Sequence, residues 1–387
     1  MKINKKLTGL VASALCASSL SAGVSLATDG TGDFLIAPFY EAKNDVCSEI
    51  KVFNTNETNS ILAKVAIREQ ISSQEVDLPI FLSPGDAWSG TLCEVEGKVL
   101  LRSTDDSNHP IVKDILANGK DLNAHSLNAG HKNVDFRNGY VEIYPIAQFN
   151  EKSTAKVKKD ILVKRWDALI NGSLNVRNLK RDGVDNDSLS GSISFRTNNK
   201  ETSTQQMKAF ENAHSKQRVG GSIAYAEDTS PEVLLGQQEK FDILRLLQNS
   251  TTSVMYEDFG KNQFIYFSFP FGYTEGQERS FEFVVRDMSE NKDLEKTVVF
   301  SPRPRQMNYV LENELYIMPV SELISKTQDS TMYKKGMIQI KNIRNRSNHQ
   351  LGIGRYASFL PTSVIIEKNG LKGTESYISS VVETPVK

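Results

Sequence analysis

The chain is 387 residues long and almost balanced in charge, with 46 Lys and Arg against 47 Asp and Glu. Without a basic field, nucleic acid and anionic membrane surfaces are excluded as main partners. No stretch after the N-terminal leader has the roughly 18 uninterrupted apolar residues of a membrane helix, and the length allows one large core or two domains.

The leader sets the expected compartment. Lys2, Lys5 and Lys6 form a positive n-region, residues 7–20 an apolar and small-residue h-region, and Ser25-Leu26-Ala27 fits the small-x-small rule of signal peptidase. Residues 1–27 are therefore expected to be a signal peptide, with the mature chain starting at Thr28. Acylation of Cys16 is the competing reading, but Leu15 and Ser13 stand where a lipoprotein needs a small residue and a Leu. Removing the leader takes away three lysines and no acids, which leaves 43 bases against 47 acids. Cys47 and Cys93 are then the remaining cysteines, and in an exported chain they suggest one disulfide. It would close a loop of over 40 residues and contribute about 3–4 kcal/mol by the chain-entropy argument. Two separate buried thiols are the alternative.

Residues 28–106 read as a first β-sandwich region. The apolar run Phe34-Leu35-Ile36-Ala37-Pro38-Phe39-Tyr40 is expected as an edge strand, with Pro38 where no ladder bond is donated, or as a strand lent to a neighbouring subunit. Two β-branched runs, residues 47–54 and 61–69, flank a polar Asn/Thr cluster and have the form of a hairpin. Residues 75–82, the turn Ser83-Pro84-Gly85-Asp86, and residues 88–92 continue a meander of the sandwich kind. Residues 98–103 add a further strand, and Asp105-Asp106-Ser107 an Asx-turn.

Residues 107–250 read as a mixed α/β insertion. Helical spacing runs over residues 110–122, beginning with the Pro that first turns favour. Residues 139–149 alternate Tyr140, Glu142 and Tyr144 against Val141 and Ile143, a strand with one polar face. Helices are predicted over 154–171, where the apolar period is 3.6, over 203–214 and over 238–248, and strands over 189–197 and 220–226. Residues 251–387 form a second β-rich region, with strands predicted at 252–256, 262–271, 279–286, 296–300, 314–319, 336–343 and 363–368. No period of 20–50 residues recurs, which argues against a solenoid or propeller. The fold expected is mainly β with α insertions, an antiparallel sandwich of Ig-like type, as one sandwich or two.

Catalytic signatures are absent from the sequence: there is no G-x-S-x-G, H-E-x-x-H, P-loop or C-x-x-C. The five histidines are scattered and read as surface residues, and His109, His125 and His131 match no standard zinc spacing. Asp105, Ser107 and His109 carry the letters of a triad, but one short turn cannot place nucleophile, base and orienter in series. Asp182, Asp185 and Asp187, in a glycine-containing loop, are the candidate Ca²⁺ ligands, since alternating carboxylates supply hard oxygens; a solvated loop is the plainer reading. Tyr266, Phe267, Phe269, Phe271 and Tyr273 are the densest aromatic run. They form either a central strand covered on both faces or an exposed patch for self-association or sugar stacking. Trp88 is expected in a sheet core and Trp166 at a helix contact.

The combination Gly32-Asp33-Phe34-Leu35-Ile36-Ala37-Pro38, Val52-Phe53-Asn54-Thr55, Ala63-Lys64-Val65, Arg68-Glu69, Leu82-Ser83-Pro84-Gly85-Asp86-Ala87-Trp88-Ser89-Gly90-Thr91 and Ser103-Thr104-Asp105-Asp106-Ser107 resembles exported bacterial cell-envelope β-sandwich proteins of unassigned function, over residues 30–107. The resemblance implies an envelope protein with a sandwich start, and it carries no catalytic residues to transfer. Together these readings predict an exported structural or interaction protein of the periplasm, outer membrane or cell surface. It would need no enzyme activity and no cofactor, and its partners would be other envelope proteins or further copies of itself. A carbohydrate-binding or calcium-dependent adhesive module is the rival, and an envelope hydrolase built from distant residues the third reading.

Overall fold

A computed structural model describes residues 23–43, 45–150, 187–197, 202–214, 234–248, 250–268, 270–271, 279–287, 294–300, 315–325, 335–342, 360–367, 370–373 and 376–380. In chain order the first part holds β1 (Ser25–Leu26), β2 (Phe34–Glu41), β3 (Cys47–Asn54), β4 (Asn59–Glu69), β5 (Glu75–Leu82), β6 (Ala87–Val95), β7 (Lys98–Arg102), α1 (Pro110–Asn118), β8 (Lys120–Asp121), α2 (Leu122–Asn128), β9 (Asn138–Asn150), β10 (Leu189–Arg196), β11 (Thr202–Gln206), β12 (Lys208–Glu211) and α3 (Gln237–Gln248). The second part holds β13 (Ser250–Tyr256), β14 (Gln263–Ser268), β15 (Arg279–Asp287), β16 (Leu294–Phe300), β17 (Leu315–Pro319), α4 (Val320–Ser325), β18 (Gly336–Asn342), β19 (Leu360–Glu367), β20 (Gly370–Gly373) and β21 (Ser376–Ser380).

All of these strands pair antiparallel, in four sheets. Sheet A runs β1-β12-β2-β9-β4-β5 and sheet B β11-β10-β3-β6-β7-β8. Sheet C runs β16-β15-β18-β13-β21 and sheet D β17-β14-β19-β20. The chain is therefore mainly antiparallel β with helical connections, as the strand succession predicts. The strands of residues 107–250 do not form a layer of their own, because β9 lies between β2 and β4 and β10 pairs with β3.

Sheets A and B share the first core. Val65 and Ile67 of β4, Leu78 and Ile80 of β5 and Val141 and Ile143 of β9 face Ile50, Val52, Trp88, Leu92 and Ile193. The other face of sheet A is covered as well, by Leu234, Leu235, Ile243, Leu247 and Phe271, which pack on Phe34, Leu62, Ala66, Phe81 and Tyr144. Sheet A is thus buried on both sides, and all eleven residues of β4 are buried. Strand β3, by contrast, alternates between covered and partly exposed positions.

That contrast corrects the expected hairpin of residues 47–69. A strand with one apolar face belongs in a sheet covered on one side, whereas β4 needs cover on both, so β3 and β4 enter different sheets. Asn54 fixes the corner, its amide donating to the carbonyls of Asn59 at 2.8 Å and Ser83 at 2.9 Å. The apolar run at residues 34–40 is likewise no edge strand: β2 lies between β12 and β9. Pro38 is accommodated because the register shifts between Ala37 and Tyr40, where a bulge needs no ladder donor. Residues 203–214 form strands, not a helix, because their true period is two: Met207 and Ala209 face the first core and Phe210 the second. The predicted helix at 154–171, with Trp166, and the strand at 220–226 lie outside the described residues.

One end of the sandwich is closed by α2, which packs on β5 and β7. Residues 103–109 tie the sheets together beside it. Trp88, fully buried, donates from Nε1 to Asn108 Oδ1 at 2.8 Å, and Phe81 N–H donates to Ser107 O at 3.0 Å. Ser107 N–H donates to Asp105 Oδ1 at 2.8 Å, the expected Asx-turn. Sheet D joins the first core through Tyr266, whose ring lies 4.7 Å from that of Phe39.

Cys47 and Cys93 form the expected disulfide. They are directly opposite in the β3/β6 register with Cα atoms 4.5 Å apart, the spacing of a non-hydrogen-bonded antiparallel pair. Both are half-buried, on the face of sheet B turned away from the first core. Replacing both by Ser is expected to cost about 3–4 kcal/mol, read from the shift in denaturant midpoint. A Cβ at Gly139 would lie 1.8 Å from the carbonyl oxygen of Arg68. Gly139→Ala is therefore expected to force β9 away from β4 and to destabilise by about 3 kcal/mol, at the high end for one substitution.

Candidate functional site

The second face of sheet A carries charge in its centre. β4 turns Lys64 and Arg68 to this face, β5 turns Glu75 and Asp77, and β9 turns Tyr140, Glu142 and Tyr144, the consequence of the two-residue period of each strand. The register places Asp77 and Glu142 opposite Ala66 from its two sides, so one small side chain leaves room for two carboxylates. Lys64 stands opposite Tyr144 and Pro79, and Arg68 opposite Tyr140 and Glu75.

Every charged group here has a partner. Glu142, with no exposed side-chain surface, accepts from Arg68 Nε at 2.5 Å and from the Tyr144 hydroxyl at 2.6 Å. Its other oxygen accepts the backbone N–H of Phe271 at 2.6 Å. Arg68 also bridges to Glu75 at 2.5 Å and donates to Ser73 O at 3.0 Å. Lys64 and Asp77 form an ion pair, each with about 3% of its side chain exposed. Leaving any of these charges unmatched at such depth would cost several kcal/mol.

Burial and neighbouring charge set the protonation states. Desolvation pushes Glu75 up to about 7, opposed by Arg68 and reinforced by Asp77. Arg68 is desolvated too, but Glu142 and Glu75 raise its pKa well above the usual arginine value and keep it charged. Burial and then the Glu142 charge raise the Tyr144 phenol, which stays protonated and donates. The cluster ties the two parts of the chain together, since Glu142 holds the Phe271 backbone in a left-handed turn with φ 67°. The Phe271 ring stacks on Phe34 at 5.3 Å.

The residues singled out from sequence fall elsewhere. Tyr266, Phe267 and Phe271 are buried, which corrects the exposed-patch reading of the aromatic run for those three and favours the covered strand. Phe269 and Tyr273 lie outside the described residues. Of the candidate calcium ligands, Asp182 and Asp185 also lie outside them. Asp187 is partly buried: it accepts Asn212 N–H at 3.2 Å, and burial, then Asp33, push its carboxyl up to about 6. Nearby, His214 Nδ1 lies 2.7 Å from Asp33 Oδ2. His109 and His214 are buried, against the surface reading, because each finds a partner: His109 packs on Phe81, and His214 pairs with Asp33. Among the described residues no group of three or more His, Cys, Asp or Glu side chains is arranged to hold a metal.

The ionic cluster was not singled out by sequence reasoning, although its signal was present. Charged residues two or four apart inside otherwise apolar strands, at Lys64 and Arg68 and at Glu75 and Asp77, share one face with the polar side of β9. No protein-family model matches the chain, and no curated protein is similar to it.

Glu142→Gln removes the charge that compensates Arg68 and is expected to cost about 3 kcal/mol, measured by chemical denaturation. A raised carboxyl pKa means the folded state holds more protons than the unfolded one, so its stabilising effect is complete below the unfolded pKa and lost as pH rises through the folded one. Glu75 (4.5 to about 7) and Asp187 (3.8 to about 6) both act in this sense. Glu75 alone is expected to make stability greater at pH 5.5 than at pH 7.5 by on the order of 1–2 kcal/mol, with Asp187 adding less because solvent screens it, and Glu75→Gln to shrink the difference.

Proposed function

We propose that this is an exported cell-envelope or cell-surface protein that works through its surfaces as a structural or interaction component, without catalysis. The observation that carries the reading is the Cys47–Cys93 bond between neighbouring strands. It uses both cysteines outside the leader and suits an oxidising compartment. The layered antiparallel sheets fit it too, since such sheets supply rigid surfaces without needing a pocket. The buried ionic cluster fits the same role, because its groups satisfy one another inside the protein and serve to join layers. Within this reading the sandwich is Ig-like in its two antiparallel sheets facing across a core. It departs from antibody domains in that its disulfide joins strands of one sheet, where theirs crosses between sheets.

Fractionation of cells into cytoplasm, periplasm, outer membrane and surface-shaved peptides tests the proposal. The protein is expected in the envelope fractions, its leader removed upstream of β1, whose Ser25 and Leu26 pair with Glu211 and Phe210, and migrating faster without reductant than with it. A cytoplasmic protein with Met1 retained and both thiols free would sink it.

A further inference from the structure

We propose that Lys64 and Asp77 become joined by an intramolecular amide bond, a covalent cross-link between β4 and β5. The two side chains are in contact on adjacent antiparallel strands, offset by one same-face position: Ala66 pairs with Asp77 and Lys64 with Pro79. Both are removed from water, with about 3% of each side chain exposed. The apolar residues Leu62, Ala66 and Phe81 lie on the same face under the cover of Leu234 and Leu235.

Such a site favours condensation for two reasons. Exclusion of water from the site favours a reaction that releases water, and the direct contact lets one proton pass from the ammonium to the carboxylate, which gives the amine and carboxyl that react. The fold also holds nucleophile and carbonyl carbon together, which removes the entropic cost of bringing them into contact. The Lys64 Nζ attacks Asp77 Cγ, a C–N bond forms, and one carboxyl oxygen leaves. Of the three ammonium hydrogens, one stays as the amide N–H and two leave with that oxygen as water. The pair starts with charges +1 and −1 and ends neutral, so no oxidant, reductant or other reactant is needed. Two desolvated charges are exchanged for one amide, whose burial costs less.

The surroundings suit the step. Glu75 lies two residues before Asp77 on the same face, and its carboxyl, pushed up to about 7, can hold a proton beside the reacting pair. Glu142, across Ala66 from Asp77, is committed to Arg68, Tyr144 and Phe271 N–H.

Mass spectrometry of the full-length chain, purified with its disulfide intact, tests the cross-link independently of where the protein resides. The intact mass is expected to fall short of the mass calculated from the purified chain's own N-terminus, corrected for the disulfide, by one water. After reduction and trypsin digestion, cleavage after Lys64 should be lost, and the peptide carrying Lys64 should remain joined to the one carrying Asp77. Lys64→Met and Asp77→Ala, each removing one reactant, should restore the full sequence mass; where either fails to fold, the wild-type digest alone decides. An unshifted mass with normal cleavage after Lys64 would overturn the proposal. So would the loss of a water without joined peptides, which would place the dehydration elsewhere.

Discussion

Sheet A is covered on both faces, and the rest of the structure depends on that constraint. A sheet with one wet face can place its charges in water, but β4 has no wet face, and every residue along it is buried. Lys64 and Arg68 must therefore be matched inside the protein, by Asp77, Glu75 and Glu142 on the flanking strands. Removing one member of such a set leaves an unmatched charge, which is why the set acts as a unit. The same matching extends outward: the second oxygen of Glu142 captures the backbone of Phe271. A network inside the first sandwich thereby positions Phe271, beyond β14.

The first core is held by a different device. Between sheets A and B the contacts are apolar, and the polar atoms at the rim are absorbed by short segments of defined turn chemistry. Asn54 gathers carbonyls where β3 leaves sheet B. Glu69 accepts the N–H groups of Ile71 and Ser72, each at 2.6 Å, in the turn between β4 and β5. Asn108 receives the Trp88 indole and donates to the carbonyl of Asp105 at 2.8 Å. Asn54, Glu69 and Asn108 thus spend their side chains on the backbone of corners and turns.

The disulfide and the ionic cluster divide the labour between the two sheets. Cys47–Cys93 clamps neighbours on the side of sheet B turned away from the core, where packing alone supplies less. The cluster clamps β4 to β5 and β9 on the side of sheet A buried under α3 and its neighbours. The proposed amide between Lys64 and Asp77 would give sheet A a covalent counterpart to the bond in sheet B. Both fit a protein whose role is to keep its shape, in keeping with the function proposed above.

The sequence by itself determined the strand-rich class, the disulfide pair, the Asx-turn at Asp105, the helix starting at Pro110 and the position of Trp88 in a core. These follow from local rules: period, turn residues, a proline at a helix start and two cysteines to pair. Only the tertiary structure decided which sheet each strand joins. Residues 47–54 and 61–69 look like partners along the chain, yet they separate because one has a single apolar face and the other needs two. It also decided that the polar side of Tyr140, Glu142 and Tyr144 is buried. Period reveals that a face is polar but not what lies above it, and here the cover comes from residues 90 to 130 positions further along. The candidate site was therefore written in the sequence only as charges at the wrong depth, and became a site when β4, β5 and β9 were laid side by side.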